Sequence, residues 1–580
     1  MADQSYLDNL RHSAAHLLAA AVLELYPDAK PTIGPSIENG FYYDFDNLKI
    51  SEEDLPRIEE KMHELVKSWA SFERIEVSSN EAIEQFSNNK YKKELIEEYA
   101  KDGLTIFQSG NFRDLCRGGH IDNPKEELKH FKLLSIAGAY WRGSEKNPML
   151  TRIYGTAFPT QKELDDYLLE VEKAKENDHR VLGKKLDLFA FSDLVGKGFV
   201  MYTPKGTIII NELKKALMEI CKEFGAQEVD IPHLAKLDLY KLSGHAEKFK
   251  DELFVVKSHY KEEFVLKPVN CPHHTQIYAS RPRSYRDLPI SYIESTQQHR
   301  DEKPGVIGGL NRTRSFEIDD GHTFCTVEQI HSEATNLVKA VEKFYTMLNM
   351  WGKHWVSLSF RDKNTPEKYI GEESDWDEAE NILTKINEEM SLNGKVMVGE
   401  AALYGPKIDV MLKDTLGNDR QLGTVQLDFA MPKRFGLTYT DRDGTEKTPV
   451  MIHRAILGSY GRFIANLLES TGGAFPTWLS PVQVKVLPIT ERNLSYAQKV
   501  YEKLRTELIR TEVDDRNETL NAKIRDAQNE KVPYMLIIGD KEEKENKVAE
   551  RGRSGKDYGM QDVDEFIKNI KEEIDKRVIN

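Results

Sequence analysis

The strand-like segments in the middle of the chain constrain the fold most. K-I-D-V-M-L (407–412) and T-V-Q-L-D-F (424–429) alternate polar and apolar residues, the period of two expected of a strand with one face buried and the other polar. They lack the unbroken Val, Ile and Leu runs of a parallel sheet covered on both faces. A mostly antiparallel sheet with helices on one side is therefore expected, the helices coming from stretches such as I-N-E-L-K-K-A-L-M-E-I-C-K-E-F.

At 580 residues the chain exceeds the size at which one core stops growing, so several domains are expected. Residues 1–162 mix helical spacing, in L-D-N-L-R-H-S-A-A-H-L-L-A-A-A-V, with the turn-punctuated aromatic strand I-G-P-S-I-E-N-G-F-Y-Y-D-F-D, and read as an α+β domain. Residues 163–186 are strongly charged, carry Leu164, Leu168, Leu169 and Val171 at helical spacing, and read as a linker helix. The antiparallel sheet belongs to residues 187–480. Residues 481–580 run βαβαβ, from V-Q-V-K-V-L-P-I to P-Y-M-L-I-I-G, and read as a small α/β domain with a largely parallel sheet.

Composition excludes several classes. No apolar run approaches the roughly 18 residues that span a bilayer, and the opening M-A-D-Q-S-Y lacks the basic region of a signal peptide; a cytoplasmic location is expected. Cys116, Cys221, Cys271 and Cys325 form no C-x-x-C pair, which argues against a disulfide framework and a thiolate-rich structural zinc site. With a net charge of −15, any nucleic-acid surface must be a local patch.

V-N-C-P-H-H-T-Q (269–276) sets Cys271 three residues from His274, as in a zinc knuckle, yet a closed structural site needs a second close ligand pair and none follows nearby. The alternative is an open site drawing on distant segments, with His322 in E-I-D-D-G-H-T-F-C and His453 in P-V-M-I-H-R-A-I-L-G-S as candidates. Spacing alone does not choose between these readings, and P-H-H could equally cap a helix or lie on the surface. Elsewhere, His12 and His16 are i, i+4 and share a helix face, while Cys116 and His120 form C-x-x-x-H.

Taken in order, R-H-S-A-A-H-L-L, L-C-R-G-G-H, G-A-Y-W-R-G, N-C-P-H-H, S-Y-R-D-L-P, H-R-D-E, D-D-G-H-T-F-C, L-Y-G-P-K-I-D, G-T-V-Q-L-D-F, V-M-I-H-R-A-I-L-G-S and V-P-Y-M-L-I-I-G-D-K-E resemble the threonyl-tRNA synthetases, a family of class II aminoacyl-tRNA synthetases. The likeness runs from Leu10 almost to the C-terminus. It implies a multidomain α+β and α/β architecture: an N-terminal editing domain, a class II antiparallel sheet with helices, and a C-terminal α/β anticodon-binding domain. It also implies ATP-dependent activation of L-threonine to its adenylate, transfer to tRNA(Thr), and hydrolytic editing of seryl-tRNA. One Zn2+ per subunit is implied, held by Cys271, His322 and His453. Three protein ligands leave a coordination position open, the mark of a catalytic rather than a structural zinc. Threonine can offer that zinc its amino and hydroxyl groups together, whereas isosteric valine has no hydroxyl.

The resemblance gives further roles. Arg300 meets the α-phosphate and the substrate carboxylate, Glu302 the adenine amino group, Arg312 the terminal phosphates, and Phe316 stacks on the base; Arg462 folds over ATP, Gln421 and Thr424 are nucleotide contacts, and Mg2+ bridges the phosphates. Asp320, Tyr404 and Gln426 match threonine contacts, Asp320 taking the hydroxyl's hydrogen bond, and His245 matches a histidine associated with the transfer step. Serine also carries an amino group and a hydroxyl, so a second, hydrolytic site is required. The family pattern puts His12, His16, Tyr43, Lys92, Asp114, Cys116 and His120 there. The four side chains His12, His16, Cys116 and His120 could equally bind zinc, as related H-x-x-x-H and C-x-x-x-H deacylase domains do; for threonyl enzymes the resemblance favours metal-free, water-mediated hydrolysis. Asn517, Glu542 and Arg551 match positions that read anticodon bases, and Pro232 matches a proline of the first class II motif at the dimer interface, so a homodimer is expected.

Three departures stand out. The resemblance sets the start of this sequence almost at the editing domain, so the small ubiquitin-like module common in the family is not expected within it; Ile318 stands where a glutamine is commonest in the threonine pocket; and His273 replaces the glycine of N-C-P-G-H. A stand-alone deacylase, or a synthetase-like RNA-binding regulator, would be expected to lose the activation residues. Arg300, Arg462 and all three implied zinc ligands are present.

Overall fold

The computed structural model describes residues 3–413 and 419–578. The chain forms two compact units, Met1–Glu172 and Lys173–Asn580. In the first, the Ala-rich helix Gln4–Leu25 buries Leu10, Leu17, Leu18 and Val22 against an antiparallel sheet whose strands run in the order Lys30–Pro31, Gly40–Asp46, Met149–Phe158, His130–Tyr140. A second, three-stranded sheet, Glu73–Val77, Leu104–Ser109 and Phe112–Leu115, carries Asp114 and ends one residue before Cys116.

The stretch read as one linker helix is two, Gln161–Glu176 and His179–Lys185. Asp178 makes the break: its carboxylate accepts from the Arg180 N–H and caps the second helix, the role short polar side chains prefer to a helix interior.

The second unit holds an eight-stranded sheet in the order Gln227–Glu228, Ile290–His299, Ser315–Cys325, Val450–Ala455, Asp419–Asp428, Lys407–Lys413, His354–Phe360, Lys395–Val398. Only the two outermost pairs are parallel, in keeping with the alternating sequence pattern. The apolar positions of that pattern, Ile408, Val425, Leu427 and Ile452, face a core formed with Ala334, Val338, Leu383 and Ile386 of the helices Ile330–Met347 and Glu373–Glu389; each such side chain contributes roughly 1.5–3 kcal/mol when fully buried.

The polar positions fall on the opposite face. Register aligns Lys407 with Gln426, Gln426 with His453, and His453 with His322, so these four lie side by side across the sheet, with Asp409, Thr424 and Asp320 two residues along. This face is not left bare, as helices on one side alone would imply. At one end Tyr292, Phe324 and Met451 pack with Tyr278 of the short helix Cys271–Ala279.

Residues 481–580 contain the expected parallel βαβαβ core, with Val484–Pro488 between Thr511–Val513 and Tyr534–Ile538. Two antiparallel strands, Lys547–Gly552 and Asp557–Asp562, extend that sheet and are not apparent in the sequence, where they are short and charged. Among the described residues, no helix is long and apolar enough to cross a membrane.

Candidate functional site

Cys271, His322 and His453 come from three separate segments, and one ligand atom from each lies within 4.8 Å of the others. Strand pairing sets the two histidines side by side. The helix Cys271–Ala279 begins with the cysteine and has Pro272 in its first turn, where a missing N–H costs nothing. Cys271, His274 and Tyr278 follow at i, i+3 and i+7 and face the sheet together: His274 Nδ1 lies 2.7 Å from His322 Nδ1, and the Tyr278 ring stacks on Phe324. P-H-H is thus neither a cap nor a surface feature. His273 is also buried, with both ring nitrogens lacking a partner among the described residues, and its ring is 6.1 Å from Tyr240.

The donor set suits a metal. Burial pushes the Cys271 thiol well up and the His322 imidazolium well down, so the histidine is neutral and the thiol ionises only beside a cation. One sulfur and two neutral imidazoles match the preference of Zn2+. The outer contacts fix which nitrogens are free. His453 Nε2 is 2.8 Å from Asp428 Oδ2, leaving Nδ1; the contact with His274 leaves Nε2 of His322. Asp428 is itself held, because its Oδ1 accepts from the Ala430 and Met431 N–H groups at 2.8 Å each. Asp428 is the residue that sequence reasoning missed here; its signal was periodicity, a strand face shared with Gln426. His274, singled out by its spacing from Cys271, instead contacts His322.

The expected threonine contacts gather here. Asp320 lies 3.7 Å from His322 Nε2 and accepts from Asn270 Nδ2 at 3.0 Å; burial pushes its carboxyl up. The Tyr404 ring is 4.9 Å from that of His453. His245 follows Gly244, whose φ of +83° glycine adopts without strain; it bonds Ser243 Oγ at 2.9 Å and reaches within 4.0 Å of Cys271 Sγ. Ile318 bridges to Ser459 on the same face.

Arg312, Arg462 and Gln421 line a cavity of about 560 Å³ together with Arg180 and Arg420. Burial, and then Arg420, Arg300 and Arg312, depress the Arg462 guanidinium; Asp178, Asp419 and Glu469 line the cavity as well. Arg462 sits in the first turn of the helix Tyr460–Thr471, capped by Ser459, and donates to Asn311 O. The Arg300 guanidinium lies 4.8 Å from the Phe249 ring and 5.5 Å from Phe316. Arg312 donates twice to Glu302 Oε2, at 2.9 and 2.8 Å, so the residues expected at opposite ends of ATP hold each other in this structure. A third group of metal-type side chains borders the cavity, Asp178, His179 and Glu469. There His179 is already spent, Nδ1 on Glu469 at 2.6 Å and Nε2 accepting from the Leu310 N–H at 3.1 Å.

Comparison with known proteins decides the family. Residues 254–471 match the tRNA synthetase class II core domain (G, H, P, S and T), 483–573 the anticodon binding domain, and 104–154 the threonyl and alanyl tRNA synthetase second additional domain. The threonine–tRNA ligase of Thermotoga neapolitana is 45% identical over 568 residues, 97% of this chain and 88% of its own length; that of Streptococcus suis is 46% identical over 570 residues, 97% and 87%. The chain belongs to the threonyl-tRNA synthetase family. Among solved structures, the RNA binding domain of threonyl-tRNA synthetase from Cryptosporidium parvum Iowa II aligns over 68% of this chain and 98% of its own, with TM-score 0.64 and 37% identity. Giardia lamblia prolyl-tRNA synthetase shares the fold over 70% of this chain and 80% of its own, with TM-score 0.56 and 17% identity.

The first unit of this synthetase carries the editing-type domain. There Cys116 Sγ lies 3.5 Å from His12 Nε2 and 3.4 Å from His120 Nε2, and ligand atoms of His12, His16, Cys116 and His120 all fall within 4.8 Å of one another. Ser13 Oγ holds His120 Nδ1 at 3.1 Å. Burial pushes the Cys116 thiol up to about 11. Beside them, Lys92 Nζ is 2.5 Å from Asp114 Oδ1, Tyr43 donates to the same carboxylate, and Lys92 donates to Tyr43 at 3.3 Å. These three are buried and satisfy one another, as charge in a protein interior requires.

In the anticodon-binding domain, Asn517 is exposed after the strand Thr511–Val513, and Arg551 pairs with Asp557 at 3.4 Å. Glu542 Oε2 accepts from the Gly539 N–H at 2.9 Å, so one carboxylate oxygen caps the helix Asp540–Glu545.

The contact between Asp428 and His453 has a measurable consequence. Asp428→Ala should weaken metal retention by about 10–100-fold, read by chelator competition on the full chain.

Proposed function

We propose that this chain joins L-threonine to tRNA(Thr) in two steps, forming the adenylate at the expense of ATP and then esterifying the tRNA, and that its first unit hydrolyses seryl-tRNA(Thr). The observation that carries this reading is the convergence of Cys271, His322 and His453 on the sheet face that also bears Asp320, Gln426 and Thr424. Editing is assigned to residues 1–162, activation to 187–480 and anticodon binding to 481–580, joined by 163–186.

A Zn2+ ion on Cys271, His322 and His453 supplies, when bound, a Lewis-acidic position that amino and hydroxyl groups fill together and that valine cannot satisfy. Asp320 accepts the hydroxyl's hydrogen bond, and Tyr404 and Gln426 close the pocket, with Ile318 contributing an apolar wall. Arg300, held between Phe249 and Phe316, meets the α-phosphate and the substrate carboxylate. Arg312 and Arg462 neutralise the terminal phosphates, where Mg2+ accompanies ATP. Glu302 takes the adenine amino group, which frees Arg312 from it, and Phe316 stacks on the base. His245, beside Cys271, serves the transfer step.

In the first unit, His12, His16, Cys116 and His120 position and polarise a water, with the charges of Lys92 and Asp114 next to it, and no metal takes part. Asn517, Arg551 and the remaining oxygen of Glu542 read anticodon bases. The enzyme works in the cytoplasm as a homodimer that meets its partner around Pro232.

Threonine-dependent ATP–pyrophosphate exchange tests activation. Threonine should support exchange, valine should not, and Cys271→Ala should lose at least about 100-fold, the scale of one displaced electrostatic contact; vigorous exchange with valine, or full activity of Cys271→Ala, contradicts the reading. Editing has its own test. His12→Ala with His16→Ala should let seryl-tRNA accumulate while threonylation continues, and metal analysis of the unaltered chain should find a single zinc. A second zinc, lost with His12 and His16, would overturn metal-free hydrolysis.

A further inference from the structure

Asp409 is 2% exposed and lies on the strand Lys407–Lys413 directly across from Thr424. The partner strand carries a bulge at this point. Met411 pairs with Gln421 and Val410 with Gly423, leaving Leu422 as an extra residue. In an unbroken strand, residues three apart face opposite sides; the extra residue resets the alternation and brings Gln421 and Thr424 to the face of Asp409.

All the carboxylate's acceptor capacity is then used. Oδ1 accepts from Gln421 Nε2 at 2.8 Å and from Thr424 Oγ1; Oδ2 accepts from Ser359 Oγ at 2.8 Å and from Lys407 Nζ. The Gln421 amide nitrogen also lies 2.8 Å from Thr424 Oγ1, so one of its hydrogens is shared between that hydroxyl and the carboxylate. Turning the amide over would set its carbonyl oxygen against Asp409 Oδ1, two acceptors with no hydrogen between them.

We propose that Asp409 is a positioning residue which holds the Gln421 amide nitrogen and the Thr424 hydroxyl toward itself as donors, so that the Gln421 carbonyl oxygen is turned away from Asp409 and meets the nucleotide. Gln421 lines the same cavity as Arg312 and Arg462. ATP offers two kinds of donor to such an acceptor, the adenine amino group and the ribose hydroxyls, and the amino group is met by Glu302. The ribose hydroxyls are therefore what Gln421 reads. This inference rests on the activation reading above.

The test uses the full chain and compares ATP with 2′-deoxy-ATP and 3′-deoxy-ATP, by calorimetric binding and by threonine-dependent pyrophosphate exchange. The unaltered enzyme should prefer ATP over at least one deoxy analogue. Asp409→Asn, which puts a donor where an acceptor stood, should raise the KM for ATP about tenfold, the scale of one hydrogen bond lost to a mismatched group. It should leave the KM for threonine within about twofold and abolish the ribose preference. Asp409→Asn with Gln421→Glu exchanges amide and carboxylate between the two positions and should restore both affinity and preference, which a merely structural role for Asp409 does not predict. Gln421→Leu, at an exposed position, keeps the test decisive should Asp409→Asn fold poorly: it must lose the ribose preference too. Intact exchange with unchanged ATP affinity in Asp409→Asn, no rescue by the exchange, or a preserved preference in Gln421→Leu overturns this inference alone. Absence of ATP binding and exchange in the unaltered chain overturns the activation reading and this inference together.

Discussion

The register of the central antiparallel strands is the constraint on which the second unit depends. Lys407, Gln426, His453 and His322 stand in one row across four strands, and Ile408, Val425, Leu427 and Ile452 lie in the core behind them. A slip of one residue in any of these strands would exchange the two sets, burying a lysine and carboxylates while exposing the core. The cost of that exchange pins the register. Residues far apart in sequence are thereby held at ligand distance without any local motif to join them.

Buried polar groups complete the site because each is answered by a partner. On the helix-covered side of the sheet, Asp319 accepts from Arg454 Nη1 at 2.8 Å and from the Ile456 and Leu457 N–H groups at 2.6 and 3.3 Å. Gly321 leaves room for that guanidinium, since a Cβ there would come within 2.3 Å of Arg454 Nη2. This buried pair ties the strand bearing Asp320 and His322 to the turn that leads into the helix of Arg462. The cluster of Cys271, His322 and His453 and the cavity lined by Arg312 and Arg462 thus share one rigid support. Breaking such a pair by removing one member leaves an uncompensated buried charge, a cost of about 3–5 kcal/mol.

How much of this the sequence disclosed varies with the length scale of the signal. Alternation in K-I-D-V-M-L and T-V-Q-L-D-F announced the antiparallel sheet, and βαβαβ spacing the parallel core of the last hundred residues, because both are local periods. The break at Asp178 and the strands Lys547–Gly552 and Asp557–Asp562 were not legible: a single capping side chain decides the first, and pairing to a neighbouring strand decides the others. At the site, residue spacing could not choose among the histidines, since His322 and His453 meet Cys271 only through sheet pairing; family likeness supplied what spacing lacked. Asp428 and Asp409 escaped notice because their work is to hold other side chains, and His274 stood out only by its spacing from Cys271; the bulge at Leu422 that gives Asp409 its reach is a tertiary feature of two strands.

The central claim is that Cys271, His322 and His453 form an open three-ligand zinc centre that threonine completes. X-ray absorption at the zinc edge of the full chain tests it directly. One sulfur near 2.3 Å and nitrogens at about 2.0–2.1 Å are predicted, with a rise in coordination number on adding threonine and none on adding valine. A shell with no sulfur, or one that threonine leaves unchanged, would contradict the account.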